Sequence, residues 1–358
     1  MNVLITGGCG FLGSNVASSY LLDGARVTVV DKMLKSGSWE NLRWLQSLCG
    51  NESDLAFYEA DVSQFDRLED VFIKQGPFDY ICHLAGQVAM TTSLGDPIGD
   101  FRTNALGTVN LLELARKRSP DAFIAYSSTN KVYGDLKHLE YAETDTRYFL
   151  PGFPHGIDES MPLDFASPYG CSKGSADQYV RDWYRNFGLK TVVFRHSSIY
   201  GGRQYATIDQ GWVGWFTMKA IEQKRSLEKH EPMVPFTMSG TGKQVRDVLH
   251  SRDLIALYRS AYENRDTCAG EVFNIGGGLE NSMSLLELFD RLANLLGLPQ
   301  GLAYEKLPRR QSDQDYFVAD ISKAKRMLGW TPQMGATQGL QQMIEWINAI
   351  YDASSRPN

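Results

Sequence analysis

The chain opens on a short apolar run, Asn2–Thr6, that stops at Gly7-Gly8-Cys9-Gly10-Phe11-Leu12-Gly13 and leads into Phe11–Asp23, which reads as an amphipathic helix. A strand that meets glycines at Gly-x-x-Gly-x-x-Gly spacing and then turns into a helix has few ways to fold. Glycine removes the Cβ that blocks close approach. The helix N-terminus adds free N–H groups and the positive end of its dipole, so Gly7, Gly10, Phe11, Leu12 and Gly13 are suited to the pyrophosphate of a dinucleotide. The alternation continues downstream. Ala25–Asp31, Leu55–Val62, Phe78–Leu84, Phe123–Ser128 and Thr191–Tyr200 read as strands, with Asp66–Gln75 and Pro97–Arg118 as helices between them. Strands alternating with helices predict a parallel sheet covered on both faces. Right-handed crossovers make it an α/β doubly wound sheet of the Rossmann type.

The second half is less regular. Asp135–Ser167 is a long irregular stretch, of a length expected to cover a site. A strong helix follows, with Ser167 as its N-cap, Pro168 at its first position, and apolar residues recurring at Tyr179, Val180, Trp183 and Phe187. Beyond Tyr200 the pattern is mixed, with Ser251–Glu263 and Thr337–Tyr351 helical and Val272–Ile275 a short strand. The 358 residues suffice for about two domains of ~150 residues. No linker separates them. The expected division is a dinucleotide-binding domain over 1–190, with strands returning from about 191–204 and 271–276, and a smaller mixed α/β substrate lobe over about 205–358, interleaved with the first.

Composition narrows the function. With 36 Lys+Arg against 42 Asp+Glu, net −6, the chain is not built to coat nucleic acid. No run approaches the ~18 apolar residues of a membrane span, and the glycine turn arrives too early for a signal peptide. Cys9, Cys49, Cys82, Cys171 and Cys268 are scattered, without Cys-x-x-Cys spacing, and read as reduced thiols of a cytoplasmic enzyme with no metal site.

Asp31 ends the second strand, where a carboxylate accepts hydrogen bonds from the adenosine ribose and repels a 2′-phosphate. NAD is therefore favoured over NADP, although Lys32 and Lys35 nearby pull the other way. Asp61 and Val62 follow the third strand and are placed to flank the adenine; Leu84, Ala85 and Gly86 follow the fourth and offer small residues beside the cofactor.

Tyr169 and Lys173 form a Tyr-x-x-x-Lys pair on one face of the predicted helix. A phenol with a pKa of ~10 is a poor base near neutrality. A neighbouring ammonium and a positive nicotinamide ring favour its phenolate, which then takes a proton from a sugar hydroxyl while hydride leaves the same carbon. Among 17 tyrosines such pairs recur by chance, and Tyr133–Lys137 is one, but it lies in a turn at Gly134. Ser127-Ser128-Thr129 ends the fifth strand and brings a hydroxyl to the same edge.

Together TGGCGFLG, Asp31, HLAG (His83–Gly86), SSTNKVYG (Ser127–Gly134) and YGCSK resemble the extended short-chain dehydrogenase/reductase superfamily, in its branch of nucleotide-sugar epimerases and dehydratases. Longer matches, HLAGQVAMTTS, VVFRHSSIYGGRQ, DQGWVGWF and GKQVRDVLH, are similar to the part of that branch that inverts C2 of a CDP-linked hexose. The resemblance implies NAD as cofactor, Thr129, Tyr169 and Lys173 as the catalytic set, and Arg246 and Arg310 as a clamp on the substrate diphosphate. It places Ser198 where relatives often carry an Asn that contacts the phosphate, and Gln87, Asn130 and His196 about the sugar pocket. The tryptophans of DQGWVGWF are expected in the core. Homo-oligomers, dimeric or tetrameric, are implied as well. Dehydratases of the branch follow the strand-five Thr with an Asp-Glu pair; Asn130-Lys131 stands here, which disfavours elimination. The motifs leave open inversion at C4 by the same machinery, or a nucleotide-binding regulator without catalysis.

Overall fold

The computed structural model describes residues 1–51, 53–309 and 313–354. Seven strands form its central sheet: β1 (Asn2–Thr6), β2 (Arg26–Asp31), β3 (Leu55–Glu59), β4 (Tyr80–His83), β5 (Phe123–Thr129), β6 (Thr191–His196) and β7 (Val272–Ile275). Their order is β7-β6-β5-β4-β1-β2-β3 and every pairing is parallel. The apolar runs are continuous because both faces are covered. Val3, Ile5, Val27, Val29, Tyr80, Cys82, Ala125 and Phe194 pack on one face. Leu4, Val30, Ile81, Ile124, Tyr126 and Val193 pack on the other. Between β1 and β4 the winding reverses, and their carboxyl ends open the crevice in which such sheets bind ligands.

The expected strand Thr191–Tyr200 divides at Ser197, whose N–H donates to Ile275 O at 2.7 Å. Ser198–Tyr200 then leaves the sheet and pairs with Val245–His250, the centre of a second small sheet that also holds Ser282–Ser284 and Tyr316–Phe317. The helices Trp212–Glu228, Leu285–Leu296 and Ala336–Ser354 pack around a separate apolar core of this lobe. The first helix, Phe11–Leu22, is buried along nearly all of Gly13–Leu21 rather than amphipathic. It is roofed by the Ser251–Glu263 helix, from which Arg259 Nε donates to Ser19 Oγ at 2.8 Å.

Pro97–Arg118 is not one helix. Pro97–Phe101 and Gly107–Arg118 flank a wide π-type turn at Arg102–Leu106. A helix over Ser38–Ser47, not expected, starts at Gly37. Nor does Asp135–Ser167 cover the cleft described below. Leu136, Leu150, Ile157 and Met161 instead pack on Phe317, Val318 and Ala319, so the segment props the second sheet. The helix Ser167–Phe187 has Ala166 rather than Ser167 at its N-cap position; Ser167 is its first residue, and its Oγ accepts Gly170 N–H at 3.3 Å. Among the described residues no helix is long and apolar enough to cross a membrane.

Candidate active site

A cleft of about 770 Å³ runs from the β1 turn across the sheet edge into the second lobe. Its floor is the glycine turn. Gly7 has φ +71°, and a Cβ on it would lie 2.7 Å from Ala85 N; a Cβ on Gly13 would lie 2.1 Å from Gly7 O. The turn is thus wedged between β4 and its own helix, and Gly10, Phe11 and Leu12 are left facing the cleft. Asp31 pins it from β2: Oδ2 accepts Cys9 N–H at 3.0 Å and Oδ1 accepts Met33 N–H at 2.9 Å. Burial pushes its carboxyl above the usual range while these N–H bonds oppose the shift.

Farther along, Asp61 and Val62 line one wall and Leu84, Ala85 and Gly86 the other. Lys32 Nζ lies 3.4 Å from Asp61 Oδ2 and 3.2 Å from Thr103 Oγ1, and Lys35 Nζ donates to Gln210 Oε1 at 3.1 Å. Both lysines that complicated the reading of Asp31 are therefore engaged with the protein.

At the ends of β5 and β6 the cleft narrows onto Thr129, Tyr169, Lys173 and His196, all nearly buried. Lys173 Nζ donates to Ser127 O and sits 4.4 Å above the Tyr126 ring. Burial lowers its pKa to about 7, against the attraction of Asp177 and Asp100. Burial likewise pushes the Tyr169 phenol up to about 12, while a hydrogen bond with the Thr129 hydroxyl works the other way. The ammonium was expected to depress the phenol; the lowering influence in the structure is instead the Thr129 hydroxyl, and burial outweighs it. Thr129 Oγ1 accepts Lys131 N–H at 3.2 Å, which fixes the hydroxyl relative to the phenol. His196 stacks parallel to Tyr258 and, among the described residues, has no hydrogen-bond partner at either ring nitrogen; burial holds it near pKa 3, so it is neutral. Behind this face, Asn104 from the π-type turn donates to Ser172 Oγ at 3.0 Å, and Ser172 to Asp100, locking the Tyr169 helix in place.

The second lobe supplies the far wall. Ser198 Oγ accepts from Trp212 Nε1 at 2.9 Å, and Trp212, Trp215 and Phe216 line the cleft. The expectation that these tryptophans are core holds in part: both are partly buried against the apolar core of the second lobe, and both also line the cleft. Arg203, stacked 3.9 Å above Trp44, and Tyr205 form part of the same wall and were not anticipated. The run of Arg, Tyr and two Trp between positions 203 and 215 is the signal that pointed there.

Arg246 faces the cleft, its Nη2 donating to Asp313 Oδ1 and Gln314 O, both at 2.9 Å. Asn130 reaches the cleft wall, but its Nδ2 donates to Gln314 Oε1 at 2.8 Å, so the amide is spent on structure. Gln87 is not brought in. Its Nε2 donates to Ala89 O at 2.6 Å and its Oε1 accepts Ala89 N–H, folding the side chain back on its own loop. Arg310 lies outside the described residues.

A doubly wound sheet whose switch point opens on a glycine cradle, faced by a Tyr-x-x-x-Lys helix, is the arrangement of the extended short-chain dehydrogenase/reductase superfamily. Within it, the profile of the family described as GDP-mannose 4,6 dehydratase matches residues 4–343, and the chain belongs to that family. It is 52% identical over 350 residues to CDP-paratose 2-epimerase of Salmonella typhi, covering 98% of this chain and 100% of that one. UDP-glucose 4-epimerase of Thermotoga maritima, solved with UDP-glucose, superposes with a TM-score of 0.79 at 30% identity, covering 98% and 100% of the two chains. The dTDP-glucose 4,6-dehydratase of Bacillus anthracis, solved with NAD, gives 0.76 at 26% identity over 99% and 97%.

Proposed function

We propose that the protein is an NAD-dependent epimerase that inverts C2 of a CDP-linked hexose of the CDP-paratose kind. The observation that carries this reading is that Tyr169, Lys173 and Thr129 meet in the one cleft that begins at the glycine cradle. The choice of C2 and of a CDP-sugar is supported by the 52% identical relative.

The residues fit NAD. Added Cβ atoms would fill the cradle at Gly7 and Gly13, Asp31 lines the cleft where an adenosine ribose belongs, and Lys32 is paired with Asp61. Gly10, Phe11 and Leu12 would hold the pyrophosphate, Asp61 and Val62 the adenine, and Leu84, Ala85 and Gly86 the path toward the nicotinamide. When bound, NAD supplies a hydride acceptor that returns what it takes and, oxidised, a positive ring beside the phenol. Tyr169 Oη takes the proton of the hydroxyl on the reacting carbon and later gives it back. Thr129 Oγ1 orients that hydroxyl, and Lys173 holds the cofactor side of Tyr169. Arg246 grips the diphosphate with a planar fork suited to phosphate oxygens, so the sugar turns while its handle stays fixed. Asn130-Lys131 offers no carboxylate acid/base pair for an elimination, which favours epimerisation over the dehydratase chemistry of other family members.

In this reading residues 1–190 and the returning strands serve the cofactor, and the lobe from about 205 serves the substrate. Leu94, Ile98, Phe101, Tyr179 and Phe187 are exposed on helices that pack together beside the site, and support a homo-oligomer formed through that face. Five free thiols suit the cytoplasm. The test incubates the purified enzyme with CDP-paratose and reads product stereochemistry by NMR. Inversion at C2 is expected, and Tyr169→Phe should lower turnover by roughly 10²–10⁴-fold while NAD still appears in the mass spectrum of the denatured protein. Equilibration at C4 alone, or near-normal turnover in the variant, overturns the reading.

A further inference from the structure

Two cations share one carboxylate in the wall of the cleft. Asp313 Oδ1 accepts from Arg246 Nη2 at 2.9 Å and lies 3.7 Å from Lys131 Nζ. All three residues line the cleft. Lys131 follows Thr129 by two residues in the short turn Asn130–Tyr133, and its backbone N–H is the donor that fixes the Thr129 hydroxyl. Its backbone therefore belongs to the reaction centre while its ammonium points to the Arg246 side. Arg246 is held from behind by Val245 O at 2.8 Å and Gln314 O at 2.9 Å, so it does not swing away to relieve the crowding.

Burial, followed by the repulsion of Arg246, lowers the ammonium of Lys131 to about pKa 8 despite the attraction of Asp313 and Asp135. Both cations face the cleft beside Asp313, so the cleft presents two positive charges to the negative charges of a ligand. A nucleotide sugar carries two, one on each phosphate of its diphosphate.

On the nucleotide-sugar reading above, we propose that Lys131 is a substrate-holding residue whose ammonium binds the sugar-linked phosphate, completing with Arg246 a two-cation clamp on the diphosphate. The division of labour follows from the chain. Lys131 is tied to Thr129, at the sugar end, whereas Arg246 comes from the second lobe. Holding the phosphate next to the sugar gives the ring a fixed pivot about which it turns between loss and return of hydride, without losing the handle. An ammonium here also stands in the position after Asn130 where an acid/base carboxylate would promote elimination.

The test is calorimetric titration of the NAD-loaded protein with CDP and with CMP, with UDP in parallel, for wild type, Lys131→Met, Lys131→Gln and Lys131→Arg, each checked for an unchanged melting temperature. A hydrogen bond to a charged group is worth ~1.5–3 kcal/mol, so the Met and Gln variants should bind CDP at least about tenfold more weakly. CMP, which lacks the sugar-linked phosphate, should bind within about twofold of wild type, and Lys131→Arg should recover most of the CDP affinity. Equal CDP affinity in wild type and a folded Met or Gln variant overturns the assignment, as does an equal loss for CDP and CMP. A wild-type protein that binds neither CDP nor UDP overturns the nucleotide-sugar reading itself, and this inference with it.

Discussion

The Cβ that Gly13 lacks would lie 2.1 Å from Gly7 O and 2.6 Å from Gly8 Cα, both backbone atoms of the turn that cradles the cofactor. Neither atom can step aside without moving the turn, so Gly13→Ala opens the cradle. Overpacking of this kind costs about 1–3 kcal/mol; thermal melting should fall by several degrees, and NAD should be missing from the purified variant by mass spectrometry. Gly335, where an added Cβ would meet nothing within 4 Å among the described residues, is the control, and Gly335→Ala should melt and load as wild type does. The glycine motif, Asp31 and the Tyr169/Lys173 pair were legible in the sequence because each is a local pattern at a strand or helix end. What each side chain is spent on was not. Gln87 turns to Ala89, and Asn130 to Gln314, 184 residues away. Long-range partners of that kind are set by tertiary packing. The balance at Tyr169 was also hidden, since it depends on how deeply the phenol is buried.

Elements were legible where their boundaries carry local chemistry, as with Ser167 and Pro168 at the start of the Tyr169 helix. They were misread where a neighbour decides. Thr191–Tyr200 holds no proline or glycine to mark a break, and it is the pairing of Ser198–Tyr200 with Val245–His250 that divides it. The join between the Tyr169 helix and the sheet rests on a buried ion pair: Arg195 Nε and Nη2 on β6 each donate to Asp177 at 2.9 Å. Ser128 Oγ donates to the same carboxylate at 2.8 Å, and Tyr133 OH accepts from Arg195 Nη1 at 2.9 Å. The pair therefore sets the distance from the Tyr169 helix to the β5 end that carries Thr129. Removing one partner strands a buried charge, so Arg195→Met should destabilise by about 3–5 kcal/mol in urea unfolding. Arg195→Met combined with Asp177→Leu should recover part of that loss, because no unpaired charge remains. A double variant as unstable as the sum of the singles would show that the two residues act separately.

On the scale of the whole molecule, the parallel sheet and its switch point were readable from alternation alone, whereas the inner packing of the second lobe was not, since the four short strands of its main sheet come from distant segments. Burial in and beside the central sheet also fixes how the protein meets acid. His83 is buried between β4 and its neighbours, with Nδ1 2.6 Å from Thr6 Oγ1 and Nε2 2.9 Å from Thr108 Oγ1. Burial lowers both His83 and His196 to about pKa 3, against ~6.5 in the unfolded chain. Between these values the unfolded chain binds more protons. The histidines' contribution is therefore complete above pH 6.5 and is lost as pH falls toward 3, at up to ~1.4 kcal/mol per unit for each. Asp247 runs the other way. Burial raises its carboxyl to about 6, so the folded state binds more protons between 3.8 and 6 and offsets about one histidine there. The difference between wild type and His83→Asn isolates the effect, because Asp247 and His196 act in both. Wild type starts out more stable at pH 7, where both His83 nitrogens are satisfied, and urea unfolding should show that lead shrinking by about 1.4 kcal/mol per unit between pH 6 and 4. Parallel curves would mean that His83 takes up its proton inside the folded protein, and that the Thr6–His83–Thr108 chain between β1, β4 and the Gly107–Arg118 helix opens without unfolding.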